Sequence, residues 1–322
     1  MMRVFLAGGS GTIGRRLVPR LVAAGHEVVA TTRTAGKAAM LEQLGARPEV
    51  VDALDASAVG AAVARAQPEA IVHQLTGLAG MSDLKHFDRT FAATNRLRTE
   101  GTDHLLAAAR ATGVRRFVAQ SYTGWTNARE GGPVKNEDDP LDPDPPAQQR
   151  ASLAAIRHVE QAVTAAPLES VVLRYGTFYG AGASTELFEL VRRRRLPIVG
   201  DGGAIWSWIH VDDAAAATVA ALELGDGIYN VVDYDPAPVR EILTFVAELI
   251  GAKPPRRVPV WLARMAAGEV GVSMLTQLRG SSNAKARREL AWEPRWASWR
   301  DGLRDEFDDA AAQLRVGGGG AG

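Results

Sequence analysis

Val4-Phe5-Leu6-Ala7-Gly8-Gly9-Ser10-Gly11-Thr12-Ile13-Gly14 is the stretch on which the fold turns. Four consecutive apolar residues read as a short buried strand, and Gly8 ends it. From 12 to 24 the spacing of Ile13, Leu17, Leu21 and Val22 predicts a helix with one apolar stripe, and Gly25 sits where its C-terminal cap belongs. The turn between reads as GxxGxxG from Gly8 or as GxGxxG from Gly9, with Gly11 and Gly14 common to both. Glycines here keep the turn tight and let backbone N–H groups approach a pyrophosphate at the helix N-terminus, and Gly14 lets the helix pack closely on the sheet. A glycine pattern alone is weak, but strand, turn and helix in this order are the context that gives it meaning. The competing reading is a glycine-rich turn that binds nothing.

Outward from this unit the same alternation repeats. Strands are expected at 27–32, 49–51, 70–73, 116–119 and 170–173, and helices at 37–44, 57–66, 95–111 and 153–165. Strands alternating with helices imply parallel pairing, so the fold class is α/β, a Rossmann-type doubly wound parallel sheet. The dinucleotide-binding domain is expected over 1–173. A smaller, partly helical substrate region follows over 174–314, with some strands and helices returning to the core. Residues 315–322, with Gly317 to Gly320, read as a disordered tail. The pattern breaks at 129–149, where Gly131, Gly132, Pro133, Pro140, Pro143, Pro145 and Pro146 imply a long and potentially functional loop.

The second strand bears on the cofactor. NAD sites usually carry an acid at its end for the ribose 2′-OH. Here it ends Ala30-Thr31-Thr32-Arg33, and Glu27 lies at the wrong edge. Arg33 and Lys37 are placed to meet a 2′-phosphate, so NADP(H) is favoured over NAD(H). The plainer reading makes them ordinary surface cations.

Composition bounds the rest. The 322 residues are 46% hydrophobic and 23% charged, with 37 Lys+Arg against 37 Asp+Glu. A net charge of zero gives no electrostatic reason to expect nucleic acid as a partner. Arg192-Arg193-Arg194-Arg195 reads as a solvated helix end. Without cysteine there is no disulfide, thiolate site or cysteine nucleophile. Six scattered histidines show no ligand spacing, so no metal is expected. The apolar run at 4–7 is too short for a signal peptide, and no stretch approaches the roughly 20 residues of a membrane span, so no membrane partner and a cytoplasmic location are the expectation. A homodimer is compatible with the chain.

Several segments in sequence order resemble the extended short-chain dehydrogenase/reductase superfamily, the NAD-dependent epimerase/dehydratase family. Gly8 to Gly14 is similar to its TGATGFIG turn. Val51-Asp52-Ala53-Leu54 resembles the segment whose aspartate contacts adenine. Ile71-Val72-His73-Gln74-Leu75-Thr76-Gly77 resembles its VIHLAA strand end, which implies that Leu75, Thr76 and Gly77 line the cofactor. Leu173-Arg174-Tyr175-Gly176-Thr177-Phe178-Tyr179-Gly180 resembles LRPxNVYG, with Tyr175 at the proline beside the nicotinamide. Ser207 to Asp213 resembles the F-I-H-V-D-D segment. The resemblance implies that Gly8, Gly9, Ser10, Gly11, Thr12, Ile13, Gly14, Arg33, Lys37, Asp52, Ala53, Leu75, Thr76, Gly77, Gln120, Tyr175 and Phe178 hold the cofactor.

The departures are as informative. The family carries a Ser/Thr after the fifth strand and Tyr-x-x-x-Lys on the next long helix; the lysine lowers the tyrosine pKa and holds the ribose. Aligned on Glu160, this chain has Ser152 and Ile156 at those places, and residues 133–163 hold no tyrosine and only one lysine, Lys135. It therefore looks like an atypical branch without the pair. Tyr122, or Ser121 with a one-residue shift, falls at the family's hydroxyl position after the fifth strand. Tyr122 is the candidate proton donor, and Arg150 its candidate cationic partner. The alternative makes Tyr122 and Trp125 packing aromatics. Trp125, Arg150, Trp206, Trp208 and His210 are the candidate substrate residues, although a structural hydrogen bond suits His210 better and a pocket wall suits Tyr175. The expected function is an NADP(H)-dependent reductase or dehydrogenase acting on a small organic substrate. The rivals are a non-catalytic NADP(H) sensor and, less favoured, a nucleotide-sugar epimerase or dehydratase.

Overall fold

The computed structural model describes residues 1–77 and 84–317, with side chains up to 308. Seven parallel strands form one sheet: β1 (Arg3–Ala7), β2 (Glu27–Thr32), β3 (Arg47–Val50), β4 (Ala70–His73), β5 (Arg116–Tyr122), β6 (Glu169–Tyr175) and β7 (Gly227–Val231), in the order β7-β6-β5-β4-β1-β2-β3. The order reverses beside β1, whose register sets Val4 against both Val28 of β2 and Ala70 of β4. In such sheets a ligand cleft opens at the carboxyl ends of the strands flanking the reversal.

Period-two alternation along β1 explains why both faces are covered. Val4 and Leu6 pack with Leu17, Val18 and Leu21 of the helix Gly14–Ala23 on one face. Phe5 and Ala7 pack with Val59 and Val63 of Ala56–Ala66 and with Leu105 and Leu106 of Thr102–Thr112 on the other. Burying a side chain such as Leu6, 0% exposed, stabilises by about 2 kcal/mol.

Strands five and six reach farther than the sequence suggests, to Tyr122 and Tyr175. β7 returns to the sheet from the C-terminal part of the chain and pairs with β6. The stretch expected as one helix over 95–111 starts at Ala92 and contains a π-turn at Leu97–Gly101. π-turns inside α-helices concentrate at functional sites because the extra residue re-aims a side chain. The proline-rich stretch 129–149 is mostly loop, stitched to the C-terminal part by a parallel pairing of Val134–Lys135 with Gly280–Ser281. A third apolar cluster, with Phe87, Trp125, Trp208 and Trp299, forms the core of the smaller region. The helix Trp299–Gly317 runs into the first residues of the expected tail, and the remainder of that tail lies outside the described residues.

Candidate active site

The loop after β1 is held by the end of β2. The Gly8 N–H donates to Thr31 Oγ1 (2.9 Å) and Ser10 Oγ to Thr32 Oγ1 (3.1 Å). The hydroxyls at the position where an acid would select NAD are thus turned toward the glycine loop. The glycines divide by what surrounds them. Gly8 has φ +93°, and a Cβ there would lie 2.6 Å from Gln74 O. A Cβ on Gly9 would meet Ala30 Cβ at 2.7 Å, and one on Gly14 would meet Gly8 O at 2.3 Å. Gly11 differs: its Cβ would have a single neighbour within 4 Å, Gly8 O at 3.3 Å. The protein's own packing requires glycine at 8, 9 and 14. At 11 it leaves a vacant cradle at a helix N-terminus, the shape and polarity a pyrophosphate needs.

Around that cradle runs a cleft of about 380 Å³. Gly8, Ser10, Gly11, Thr12, Ile13 and Gly14 form its floor, and Ala53 with Val51 stands at one end. Leu75, Thr76 and Gly77 line it from beyond β4, Gln120 from β5, and Phe178 closes it from the second region. Arg33 and Lys37 line the end beside β2; both are exposed, and among the described residues neither forms an ion pair. Three expected cofactor residues lie off this surface. Gly9 is packed behind the loop on Ala30. Asp52 is exposed and accepts the Leu54 N–H (3.0 Å), leaving its neighbours Val51 and Ala53 facing the cleft. Tyr175 is buried, its hydroxyl engaged by Gln74 Nε2 (3.0 Å) and Thr218 Oγ1 (2.6 Å). Burial pushes that phenol up to about 12, which leaves it neutral and structural. A larger hollow, about 710 Å³, lies under the 129–149 loop. Two of its cations are already matched, Arg129 with Asp142 (2.9 Å) and Lys135 with Asp139 (3.3 Å), and Arg279 donates to Arg129 O (2.8 Å), whereas the glycine-lined cleft keeps Arg33 and Lys37 without ion pairs among the described residues and is the better site.

Beyond Gln120 the same face of β5 carries Tyr122, since alternate residues share a face. Its hydroxyl approaches Thr177 Oγ1 (3.3 Å), and its ring stacks on Trp125, which meets Phe87 edge-on. Burial raises the Tyr122 pKa, while the Thr177 hydrogen bond and the charge of Arg98 pull against the rise. Tyr122 is therefore a neutral phenol at physiological pH, able to donate. Ser121 points to the other face and donates to Glu160 Oε1 (2.8 Å). Glu160 is also gripped at both oxygens by Arg174 (2.7 Å each), so Ser121 belongs to a structural network.

Ser152 and Ile156, the residues expected at the places of the family's pair, have other partners. Ser152 Oγ donates to Asp88 Oδ1 (2.6 Å) and accepts from Asn95 Nδ2 (2.9 Å). Asp88 also accepts the N–H groups of Ala151 and Ser152, capping the helix Arg150–Thr164. Ile156 is wholly buried in the apolar cluster with Phe87, Phe91, Trp125 and Leu153. Arg150 is not the cation beside Tyr122: it stands at the solvent-facing start of that helix, paired with Asp144 (3.3 Å). The cation there is Arg98, on the π-turn, 6% exposed. Its spacing from Thr102 and Leu105 would suit a buried stripe, but the π-turn between them breaks the α-helical count, so spacing alone does not place it.

The remaining substrate candidates are structural in this arrangement. Trp206 and Trp208 do share a side, with ring centroids 6.1 Å apart. Trp206 donates Nε1–H to Met274 O (2.8 Å), and Trp208 is core, packed on Trp299. His210 caps the helix Val211–Ala220, its Nδ1 accepting the Asp212 N–H (3.1 Å), and its ring lies on Trp296. Burial lowers its pKa to about 4, keeping it the neutral acceptor the cap requires. Among the described residues no helix is long and apolar enough to cross a membrane, and no group of three or more His, Asp or Glu could hold a metal ion.

Known proteins share this architecture. The model of the NAD dependent epimerase/dehydratase family matches residues 4–232. A Streptomyces protein named 3-diazoavenalumate denitrifying reductase is 44% identical, over 95% of this chain and 100% of its own. The 2-alkyl-3-oxoalkanoate reductase of Stenotrophomonas maltophilia is 29% identical, over 94% and 93%. The Thermus thermophilus UDP-glucose 4-epimerase, solved with NAD, superposes with TM-score 0.71 at 25% identity, covering 95% of this chain and 98% of its own. The chain belongs to the NAD dependent epimerase/dehydratase family and is an NAD(P)-dependent oxidoreductase of the short-chain dehydrogenase/reductase type.

Proposed function

We propose that this protein is an NADPH-dependent reductase that removes nitrogen from a small diazo-bearing organic substrate, the chemistry named for its 44% identical relative. The observation that carries the reading is the fate of the two family positions on Arg150–Thr164. Ser152 is locked between Asp88 and Asn95, and Ile156 is buried in hydrocarbon. A carbonyl that accepts hydride must also accept a proton, which is the work of the family's tyrosine and lysine. When bound, the nicotinamide would supply hydride to the carbon bearing the group in its cationic diazonium form; N2 leaves with the electrons of the broken C–N bond, and no proton is consumed. A site for this reaction has no need of the pair.

The residues then have simpler tasks. The Gly8–Gly14 loop would seat the pyrophosphate, and Arg33 with Lys37 the 2′-phosphate. Gln120 and Tyr122 would present polar groups to the substrate from one face of β5, and Trp125 and Phe87 back the Tyr122 ring. A second reading, ketone reduction, is favoured by one observation: the Tyr122 phenol is neutral and could supply a proton in place of the missing tyrosine.

The test uses 4-carboxybenzenediazonium with NADPH deuterated at the transferring position. Deuterium is expected on the ring carbon of the benzoate product, formed faster than without protein and faster with NADPH than with NADH. Benzoate without that deuterium, or no turnover above the protein-free rate while ketones are reduced, would overturn the first reading in favour of the second.

A further inference from the structure

The buried polar groups around the end of β5 do not balance in charge. Among the described residues Glu160 is the carboxylate that acts on both Arg98 and Arg174, and its oxygens are taken by Arg174 and Ser121. Arg98 is left over. It is 6% exposed, and its Nη1 has no hydrogen-bond partner. His73, on the β4 side, is buried and neutral, with its pKa near 4, so it neither adds to nor cancels the charge. Burial draws the Arg98 pKa down only to about 10, so the guanidinium stays charged at neutral pH. Arg174 is matched by Glu160 and is also acted on by Glu137, which Lys285 offsets in turn, so the excess positive charge stays with Arg98, which forms no ion pair among the described residues. An unmatched buried charge destabilises the fold, and a site normally keeps one because something binds to it. The π-turn Leu97–Gly101 sets Arg98 on the inner side of its helix and Leu97 on the cofactor cleft.

We propose that Arg98 and Tyr122 form an oxyanion receptor: a carboxylate or phenolate oxygen of the substrate accepts the Tyr122 hydrogen bond, and the Arg98 guanidinium beside it balances the charge. Tyr122 touches the ligand, and Arg98 acts through it as a positioning residue. The substrate class is then an organic acid anion. Two of the relatives reported above are named for anionic substrates, an avenalumate and an oxoalkanoate, which agrees with such a receptor. This deepens the reductase reading and rests on it only for the reaction that follows binding.

The experiment is calorimetric binding of benzoate and of its neutral isostere benzamide to the full-length protein saturated with NADP+. Native protein is expected to bind benzoate at least about tenfold more tightly, about 1.4 kcal/mol. Arg98→Met should abolish that ratio while the NADP+ affinity stays within about twofold, and Arg98→Lys should keep part of it. The Arg98→Met protein should melt no lower than native, because it loses a charge with no partner. A purely structural arginine would lower the melting temperature instead. Equal binding of benzoate and benzamide by native protein, or an unchanged ratio in Arg98→Met, overturns the proposal. So does a ratio lost in Arg98→Met only together with NADP+ binding or the fold. These outcomes are separate from turnover: a lost receptor with deuterium transfer intact leaves the reductase reading standing, and the reverse leaves the receptor standing.

Discussion

Two glycines three residues apart should respond to substitution in opposite ways. Take Gly11→Val and Gly14→Ala. At Gly14 even a single methyl carbon would sit 2.3 Å from Gly8 O and 2.5 Å from Gly9 O. Both obstacles are backbone, and the Gly8 carbonyl already accepts the Gly11 N–H at 3.1 Å, so they cannot swing aside. Overpacking of this kind destabilises by about 1–3 kcal/mol or more. At Gly11 the added Cβ would have one neighbour, at 3.3 Å, and φ is not in the left-handed region. The fold should therefore tolerate valine there at a cost near the roughly 0.5 kcal/mol usual for a surface change. Dinucleotide binding should not. The valine methyls would fill the cradle, separating the pyrophosphate from the loop N–H groups. Losing two charge-assisted hydrogen bonds, each worth about 1.5–3 kcal/mol, removes at least about 3 kcal/mol, or roughly a hundredfold in Kd. Thermal unfolding and NADPH fluorescence titration on both variants separate the two effects. If Gly11→Val binds NADPH like native protein, the loop is only a turn. If it unfolds as readily as Gly14→Ala, the cradle is filled by the protein itself and the argument fails.

Arg33→Ala should weaken NADPH by about tenfold or more and leave NADH nearly unchanged, because the exposed guanidinium beside β2 would meet only a 2′-phosphate; equal native affinities for the two cofactors would sink the assignment. Tyr122→Phe should lower kcat on a ketone by roughly 10²–10⁴, the worth of a lost general acid. On a diazo substrate it should lower kcat by less than about tenfold, since expelling N2 takes no proton; equal losses on both substrates would contradict this division. Asp233 offers a pH test. It is 1% exposed, one of its oxygens lacks a partner, and burial raises its carboxyl to about 8. Between its unfolded pKa near 4 and about 8 the folded state holds the extra proton, so this group removes stability as pH rises through that window. The stability of native protein relative to Asp233→Asn should fall by about 1 kcal/mol per pH unit from pH 5 to 7 in denaturant titrations. A difference independent of pH would mean that Asp233 is ionised in the fold.

The parts of the molecule that could be read from sequence were those governed by short-range periodicity. The apolar run Val4 to Ala7 and the stripe of Leu17 and Leu21 suffice to place β1 and its helix, and with them the glycine turn that floors the cleft, whereas the reversal of strand order beside β1 is a property of the whole sheet. Boundaries were less legible where tertiary pairing extends an element past its apolar run. β5 continues through Gln120 and Ser121 to Tyr122 because β6 offers partners along its whole length, Gln120 against Leu173 and Tyr122 against Tyr175. The charged members of the site were hardest to place. Arg150 lies near Tyr122 in the aligned helix, yet helix phase turns it to solvent. Arg98, assigned no role from sequence, reaches the site because the π-turn changes the phase of its helix. Side-chain direction in a helix depends on an unbroken count of residues, and one π-turn shifts that count without leaving a composition signal.

That shift also connects the two departures from the family pattern. A lysine on Arg150–Thr164 would stand at Ile156, in the cluster of Phe87, Phe91, Trp125 and Leu153. Removing a cation there lets the aromatic wall behind Tyr122 close without a buried charge. The positive charge of this chamber instead comes from the neighbouring helix, at a different angle to Tyr122. A cation on the original helix serves a tyrosine on that same helix, four residues earlier. A cation on Leu97–Gly101 serves a phenol at the end of β5. Moving both partners together preserves a phenol beside a positive charge while changing what the pair faces. Restoring only one member of the old arrangement should therefore fail. Ser152→Tyr alone would break the Asp88 cap and face no lysine. Ile156→Lys alone would bury an unpaired cation in that apolar cluster, which costs stability. Neither single change should raise ketone reductase activity, and Ile156→Lys should lower the melting temperature; a gain of ketone reduction by either would show that the original geometry is still intact.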